Sequence, residues 1–104
     1  EDRDVHDPEL WRDQVLCSGP ERERLAALLK LGLVDTFRLS EQPDKSFSWW
    51  DYREMGFRRN RGLRIDLILA STALATDCTA TIIDTLPRKL EKPSDHAPVL
   101  AVFR

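Results

Sequence analysis

The feature that most constrains the fold is the run LRIDLILAS at residues 63–71. If the run is extended, Leu67 and Leu69 lie on one face and Ile68 and Ala70 lie on the other. Strands with apolar side chains on both faces are typical of layered α/β proteins, in which each face of the sheet is covered. The run therefore predicts a strand that needs a layer over each of its two faces.

The rest of the chain offers few elements for this cover. Spacing and capping residues predict helices over 8–16 and 20–32, a turn or short helical segment over 33–40, a helical turn over 72–77, and strands over 46–50, 78–84 and 98–104. Four strands and two or three helices hardly cover one another in 104 residues. We therefore expect the chain to be part of a larger layered domain.

The composition excludes several classes of protein. Hydrophobic residues make up 41% and charged residues 33% of the chain, which is typical of a globular protein rather than a disordered one. No apolar run reaches the roughly 18 residues that cross a bilayer, and the acidic first ten residues do not resemble a signal peptide. Cys17 and Cys78 are expected to be reduced cytosolic thiols, with a disulfide as the alternative.

Arginines and aromatic residues concentrate in the middle of the chain. Residues 53–64 hold five arginines against one glutamate, although the whole chain has a net charge of −2. Four aromatic residues precede this segment and Phe57 lies within it. Together they predict a nucleic-acid surface, where rings contact bases or sugars and arginines hold phosphates. The alternatives are a solvated arginine-rich loop and ordinary core aromatics, and we expect some rings to be buried and others to face the site.

Asp66 is unusual because it lies within the apolar run, where a carboxylate is costly unless it is satisfied. One interpretation is a structural ion pair with an arginine such as Arg64, or a hydrogen bond to the backbone. The other is that Asp66 accepts a hydrogen bond from His96, which would fix the tautomer of the imidazole. The residues alone leave both interpretations open.

Asp95 and His96 are neighbours between Pro93 and Pro98, which restrict the backbone to extended or turn conformations. We expect the two side chains to point in different directions and to border one pocket. His96 is suited to hydrogen-bond a phosphate or an attacking water, and Asp95 is suited to hold a hard cation. The alternative is a surface turn in which the histidine is incidental.

Three motifs follow one another in the order and spacing of a known family: LLKLGLVDTFR, FSWWDYREMGFRRNRGLRIDLILAS and EKPSDHAPVLAVF. Over about residues 20–104 they resemble the C-terminal end of bacterial exonuclease III. This family comprises Mg²⁺-dependent apurinic/apyrimidinic endonucleases of the endonuclease/exonuclease/phosphatase superfamily. The resemblance implies an α/β fold, the C-terminal portion of a four-layered α/β sandwich with two packed mixed sheets and outer helices. Residues 1–104 would be the C-terminal part of a single domain whose N-terminal half is absent.

The resemblance also implies an activity for the parent protein. It would be a DNA-repair nuclease that hydrolyses the phosphodiester 5′ to abasic sites in duplex DNA, with 3′→5′ exonuclease and 3′-phosphatase activity. The cofactor would be Mg²⁺ or Mn²⁺, and the partner would be duplex DNA with abasic sites or 3′ ends. The protein would be a monomer in the bacterial cytoplasm, acting on the nucleoid.

Site residues follow from the same resemblance. Asp66 would orient the catalytic His96, His96 would contact the scissile phosphate and help activate water, and Asp95 would lie at the metal site, as a direct or water-mediated ligand. Trp49, Leu63 and Ile65 would form the wall that accepts a flipped abasic sugar. The remaining positions expected to contact DNA are Tyr52, Arg53, Phe57, Arg58, Arg59, Asn60 and Arg61.

The family's other catalytic residues belong to motifs that do not occur in this chain: a glutamate metal ligand, a tyrosine, and a Gly-Asp-Phe-Asn motif. We therefore expect the parent protein to cut DNA and this chain by itself to be inactive and of low stability. Two alternatives are a truncated protein that binds DNA without cutting it, and a phosphatase of the same superfamily.

Overall fold

Three antiparallel strand pairs organise the chain in the computed structural model, which describes all residues from Glu1 to Arg104. The strands are β1 (Leu33–Asp35), β2 (Trp49–Trp50), β3 (Gly62–Leu63), β4 (Leu69–Ser71), β5 (Cys78–Ile83) and β6 (Val99–Phe103). The pairs are β1 with β4, β2 with β3, and β5 with β6. Three α-helices complete the structure: α1 (Pro8–Trp11), α2 (Gly19–Lys30) and α3 (Thr72–Ala75). The predicted α/β class is confirmed.

The predicted continuous strand over residues 63–71 is wrong, because the run is divided between β3 and β4. The cause is a contact with another segment: the backbone N–H groups of Ile65 and Asp66 both donate to the hydroxyl of Ser48. An amide bound to a side chain does not join a strand ladder. In addition, most residues of the run are only half-buried in this chain.

Helix α1 is shorter than predicted, since it ends at Trp11 rather than near residue 16. Asp13 and Leu16 have φ of 60° and 77°, a left-handed conformation that a right-handed helix excludes. The start is as predicted, with Asp7 accepting a hydrogen bond from the Leu10 amide as the N-cap. Helix α2 also agrees with its prediction, and Gly32 follows it at φ +99°.

Segment 33–40 contains more structure than the predicted turn or short helical segment. Its first three residues form β1, and Thr36–Leu39 form a 3₁₀ helix, of which Thr36 and Phe37 are buried. The Asp35 side chain accepts a hydrogen bond from the Phe37 amide and so caps the 3₁₀ helix. Three more short 3₁₀ helices occur, at Asp2–Asp4, Arg53–Met55 and Leu86–Lys89.

The apolar core is small. Only 16 of the 104 residues are buried, and six of the eight buried apolar side chains form two clusters of three. The radius of gyration is 14.3 Å, above the about 13 Å expected for a compact domain of 100 residues. Leu28 and Leu29 of α2 remain in solvent, as does Leu31, which follows the helix and is 81% exposed. The elements thus leave apolar surface uncovered, as expected from the sequence.

A buried charge network joins the N-terminal segment to β1 and to the chain beyond β3. Arg64 donates to the carboxylates of Asp4 and Asp35, and Arg38 donates to Asp4. Burial alone would raise the pKa of Asp4, but the hydrogen bonds and charges of Arg64 and Arg38 outweigh it and hold that pKa below its ordinary value. The network therefore gives both Arg64 and Arg38 carboxylate partners.

Two observations concern the environment of the chain. Cys17 and Cys78 are both free, and burial raises the pKa of the Cys17 thiol above its ordinary value. No helix combines the length and the apolar character that crossing a membrane requires.

Candidate active site

Four extended segments lie side by side and position the candidate site: residues 4–6, 62–64, 48–50 and 95–97, in that order. Backbone bridges join Val5 to Leu63 and Trp49 to His96, and β2 pairs with β3 between them. Because segment 48–50 is central, it fixes the strand that leads to Asp66 against the segment that carries Asp95 and His96.

Ser48 lies in the central segment of this frame, and its exposed fraction is 0%. Its amide donates to the Leu63 carbonyl at 3.0 Å, and its own carbonyl accepts from the Ala97 amide at 2.8 Å. Its hydroxyl accepts from the amides of Ile65 at 3.1 Å and Asp66 at 3.0 Å. Sequence reasoning missed Ser48, although a serine between large aromatic residues of a buried strand is a signal for a satisfied internal hydroxyl.

The structure contains the predicted contact between Asp66 and His96. The Nδ1 atom of His96 lies 2.7 Å from Oδ2 of Asp66, thirty residues away in sequence. The alternative ion pair of Asp66 with Arg64 does not form, because Arg64 is bound to Asp4 and Asp35. When Nδ1–H donates to a carboxylate, the other ring nitrogen, Nε2, is left free to accept a proton.

Asp95 lies beside this pair. Its Oδ2 accepts a hydrogen bond from the indole Nε1 of Trp49 at 3.1 Å, and its Oδ1 is 3.9 Å from Nε2 of His96. The side chains of Asp95, His96 and Asp66 are 38%, 44% and 39% exposed. The structure thus brings Asp66, Asp95, His96 and Trp49 together at one solvent-accessible rim.

The donor set at this rim suits a hard cation only in part. Asp95 offers one carboxylate oxygen that no hydrogen bond occupies, and no group of three or more His, Cys, Asp or Glu residues in the chain could hold a metal ion. Mg²⁺ commonly binds through one or two carboxylates together with substrate phosphates and water. Asp95 therefore fits as one ligand of such an ion.

The segment between Arg53 and Arg61 is exposed, but its arginines are not equally free. Arg53 pairs with Asp51, just outside the segment, and the hydrogen bonds from Arg53 hold the pKa of Asp51 below its ordinary value. Arg61 lies 3.8 Å from Glu54, and Arg64 points into the buried network. The surplus of positive charge counted from the sequence is therefore smaller at the surface, where Arg58 and Arg59 carry it without an ion-pair partner.

The aromatic residues divide between core and site. Phe47 and Trp50 are 2% exposed, whereas Tyr52 is 61% exposed and Trp49 is half-buried at the rim. Phe57 packs edge-on against Trp50 with the ring centroids 5.0 Å apart. The expected division of the rings is thus observed.

The other positions predicted to contact DNA mainly make contacts within the protein. Leu63 is 1% exposed and belongs to the core cluster of Val5 and Cys17, while Ile65 is half-buried and packs at the edge of that cluster. Leu63 therefore supports the rim from behind rather than lining it. Asn60 accepts a hydrogen bond from Nε1 of Trp50 and donates to the Lys45 carbonyl.

Trp11 and Arg88 were also missed. The Trp11 ring packs edge-on against Trp49 at 6.1 Å between centroids, which braces the tryptophan that donates to Asp95. Arg88 is buried beneath the segment that leads to Asp95. Neither residue belongs to a recognisable motif, so only the three-dimensional contacts reveal them.

We expect Ser48→Ala to lower the free energy of unfolding by about 1–3 kcal/mol, because two partly buried amides lose their acceptor. Urea denaturation followed by tryptophan fluorescence measures this change. Ser40→Ala, at an exposed serine, is the matched control and should change the free energy by less than about 0.5 kcal/mol. Equal effects of the two substitutions would contradict the role given to Ser48 in the frame.

Comparison with known proteins agrees with this geometry. The model of the Endonuclease/Exonuclease/phosphatase family matches residues 7–96. Among curated proteins, exodeoxyribonuclease III of Haemophilus influenzae is 49% identical over 97 residues, which cover 90% of this chain and 36% of the relative. The chain thus spans little more than a third of the length of this relative.

Comparison with solved structures also finds relatives of this chain. The 3′ phosphatase NExo from Neisseria, bound to a product DNA hairpin, superposes with a TM-score of 0.95 and 44% identity, covering all of this chain and 40% of that chain. An AP endonuclease from Archaeoglobus fulgidus superposes with a TM-score of 0.90 and 37% identity, covering 99% and 40%. On the match over residues 7–96, the chain belongs to the Endonuclease/Exonuclease/phosphatase family.

Proposed function

We propose that this chain contributes to the hydrolysis of phosphodiester bonds in DNA, as part of a DNA-repair nuclease that cuts 5′ to abasic sites. The observation that carries the proposal is the contact of His96 Nδ1 with Asp66 at 2.7 Å, with Asp95 next to it. The exposed arginines and Trp49 supply a surface for DNA beside this cluster. The similarity to exodeoxyribonuclease III and to an AP endonuclease supports the same class of reaction.

We further propose that residues 1–104 are the C-terminal part of one larger domain. The small core supports this, as does the outer face of the β5–β6 pair, where Ile82, Leu100 and Val102 are each about half exposed. The relatives are also more than twice as long as the aligned region. The remaining catalytic groups would come from the rest of that domain, so this chain by itself is inactive. We also propose that the protein is a cytoplasmic monomer; the two free thiols support the compartment, since reduced cysteines are typical of the cytoplasm.

In this proposal His96 is the catalytic residue that handles the proton. Donation of Nδ1–H to Asp66 leaves the lone pair of Nε2 directed toward the side where Asp95 lies. There Nε2 accepts a proton from the attacking water or, once protonated, donates a hydrogen bond to the phosphate. Asp66 acts through His96, as a positioning residue that selects the tautomer.

Asp95 would hold a divalent cation, Mg²⁺ or Mn²⁺, through its free oxygen. When bound, such an ion stabilises negative charge on the phosphate. Trp49 keeps the Asp95 carboxylate oriented through the indole N–H. A second carboxylate ligand and the groups that orient the water would come from outside the residues of this chain.

DNA would lie across the rim between the arginine segment and the catalytic cluster. Arg58 and Arg59 would hold phosphates, and Trp49 with Ile65 at its side would contact the sugar of a nucleotide that lacks its base. Extrusion of such a nucleotide is easiest where base pairing is already lost. The same rim would accept a 3′ end, as in the 3′-phosphatase and 3′→5′ exonuclease reactions. One NExo structure is described as a 3′ phosphatase and is 44% identical to this chain; another is described as a 3′–5′ exonuclease and is 45% identical. This similarity favours the two reactions at 3′ ends as a second activity.

The direct test is cleavage of a duplex with one abasic site by the full-length protein that contains this chain, with Mg²⁺ and with EDTA. We expect incision 5′ to the lesion with Mg²⁺ and none with EDTA. His96→Ala or Asp66→Ala should lower the single-turnover rate at least about 100-fold, since general base catalysis contributes about 10²–10⁴-fold.

A control variant accompanies this test: Asp44→Ala replaces an exposed aspartate outside the frame of the site. It should cut at a rate within a few-fold of the unchanged protein. Near-normal cutting by His96→Ala would contradict the assignment of His96 as the catalytic histidine. A duplex that carries a 3′-phosphate is tested alongside. If the protein removed this phosphate but did not cut the abasic duplex, 3′-phosphatase activity would replace abasic-site incision as the proposed function.

A separate prediction concerns the arginines. Arg59→Ala should weaken binding to duplex DNA and reduce the slope of log affinity against log salt concentration by about 0.9, the value for one lost phosphate contact. Arg53→Ala should change the slope less, because Asp51 already neutralises Arg53. Binding isotherms at several salt concentrations measure both slopes. Equal losses at the two positions would show that the Arg53–Asp51 pair opens on DNA, contrary to this prediction.

A further inference from the structure

Arg88 is a buried cation without a carboxylate partner. It lies in the 3₁₀ helix Leu86–Lys89 and is 6% exposed. None of the ion pairs in the chain includes it, and its Nε atom is buried with no hydrogen-bond partner. Because burial of a charge is costly, a guanidinium in this position needs another source of stabilisation.

Three aromatic rings and one carbonyl supply that stabilisation. The guanidinium carbon lies 4.8 Å from the ring centroid of Phe57 and 5.7 Å from those of Trp50 and Tyr52. Its Nη1 donates to the backbone carbonyl of Ser94. Cation–π contacts of this kind strengthen when the cation is removed from water.

These contacts join two segments with different proposed tasks. Tyr52 and Phe57 flank and enter the exposed arginine segment, whereas Ser94 directly precedes Asp95. A second link runs parallel to the first, since the hydroxyl of Tyr52 donates to the Pro93 carbonyl at 2.7 Å. The turn that carries the candidate catalytic pair is therefore attached to the candidate DNA-binding segment.

We propose that Arg88 is a positioning residue that holds the turn 93–96 in register with the segment 52–57, so that Asp95 and His96 keep their placement relative to the candidate DNA-binding segment. This rests on the function proposed above. The planar guanidinium packs against rings and donates in its own plane at the same time. Lysine keeps the charge but offers a compact ammonium without flat faces, so Arg88→Lys removes the packing while conserving charge.

Hydrogen exchange of backbone amides tests this role in the absence of DNA. The Trp50 amide donates to the Asp95 carbonyl at 3.0 Å, and the Thr36 amide donates to the Ile68 carbonyl at 3.1 Å, a bond in which neither partner belongs to the segments that Arg88 joins. In hydrogen exchange of the full protein followed by NMR, we expect Arg88→Lys to accelerate exchange of the Trp50 amide about tenfold and to leave Thr36 unchanged, as local opening does. Arg24→Lys, at an exposed arginine, should change neither amide.

An unchanged Trp50 amide would overturn the proposal, and so would equal acceleration of both amides, since that indicates loss of global stability. The second readout is abasic-site cleavage, where Arg88→Lys should lower the single-turnover rate about tenfold while the dissociation constant for the duplex changes less than about threefold. A normal rate with an accelerated Trp50 amide would refute the link to catalysis. If the unchanged protein does not cut, the proposed function fails, whereas the exchange data still decide the role of Arg88.

Discussion

The structure depends on the hydrogen bonds of one buried serine. Ser48 forms hydrogen bonds through its amide, its carbonyl and its hydroxyl, and the hydroxyl accepts hydrogen bonds from two backbone amides at once. These bonds fix the strand that leads to Asp66 on one side and the segment that carries His96 on the other. An unmet buried amide is costly, so the frame has little freedom to slip by one residue.

This frame explains how two exposed side chains remain together. Asp66 and His96 are each more than one third exposed, and an exposed ion pair contributes little to stability by itself. Their 2.7 Å contact follows from the backbone positions that Ser48 and its neighbours impose, rather than the reverse. Rigid strands that carry a partly exposed polar pair are a general way to position a reactive group.

Sequence reasoning identified the parts of the fold and site that rest on local chemistry. The starts of α1 and α3, the β5 and β6 strands and the division of the aromatic rings agree with the structure. The residues alone left the partner of Asp66 open between His96 and a structural partner such as Arg64. The family resemblance implied His96, and the structure contains that contact. Long-range contacts were not foreseen: no pattern in LRIDLILAS shows that a serine from another segment takes two of its amides.

The partners of charged side chains are equally difficult to predict from the sequence. The count over residues 53–64 treated each arginine as free, but Asp51 lies just outside the counted segment and neutralises Arg53. Arg64 points inward because Asp4 and Asp35, both distant in sequence, accept its donors. Arg88 had no signal at all, since its partners are rings and a carbonyl. Ion pairs and cation–π contacts between distant residues become visible only in three dimensions.

The central claim is that Asp66 acts through His96 as one catalytic unit. A double-mutant cycle in the full-length protein tests it most directly, with single-turnover incision of an abasic duplex as the readout. The account predicts that Asp66→Ala changes the rate by less than about threefold when it is introduced into His96→Ala. A further loss of about 100-fold in that background would show that the two residues act independently, contradicting the account.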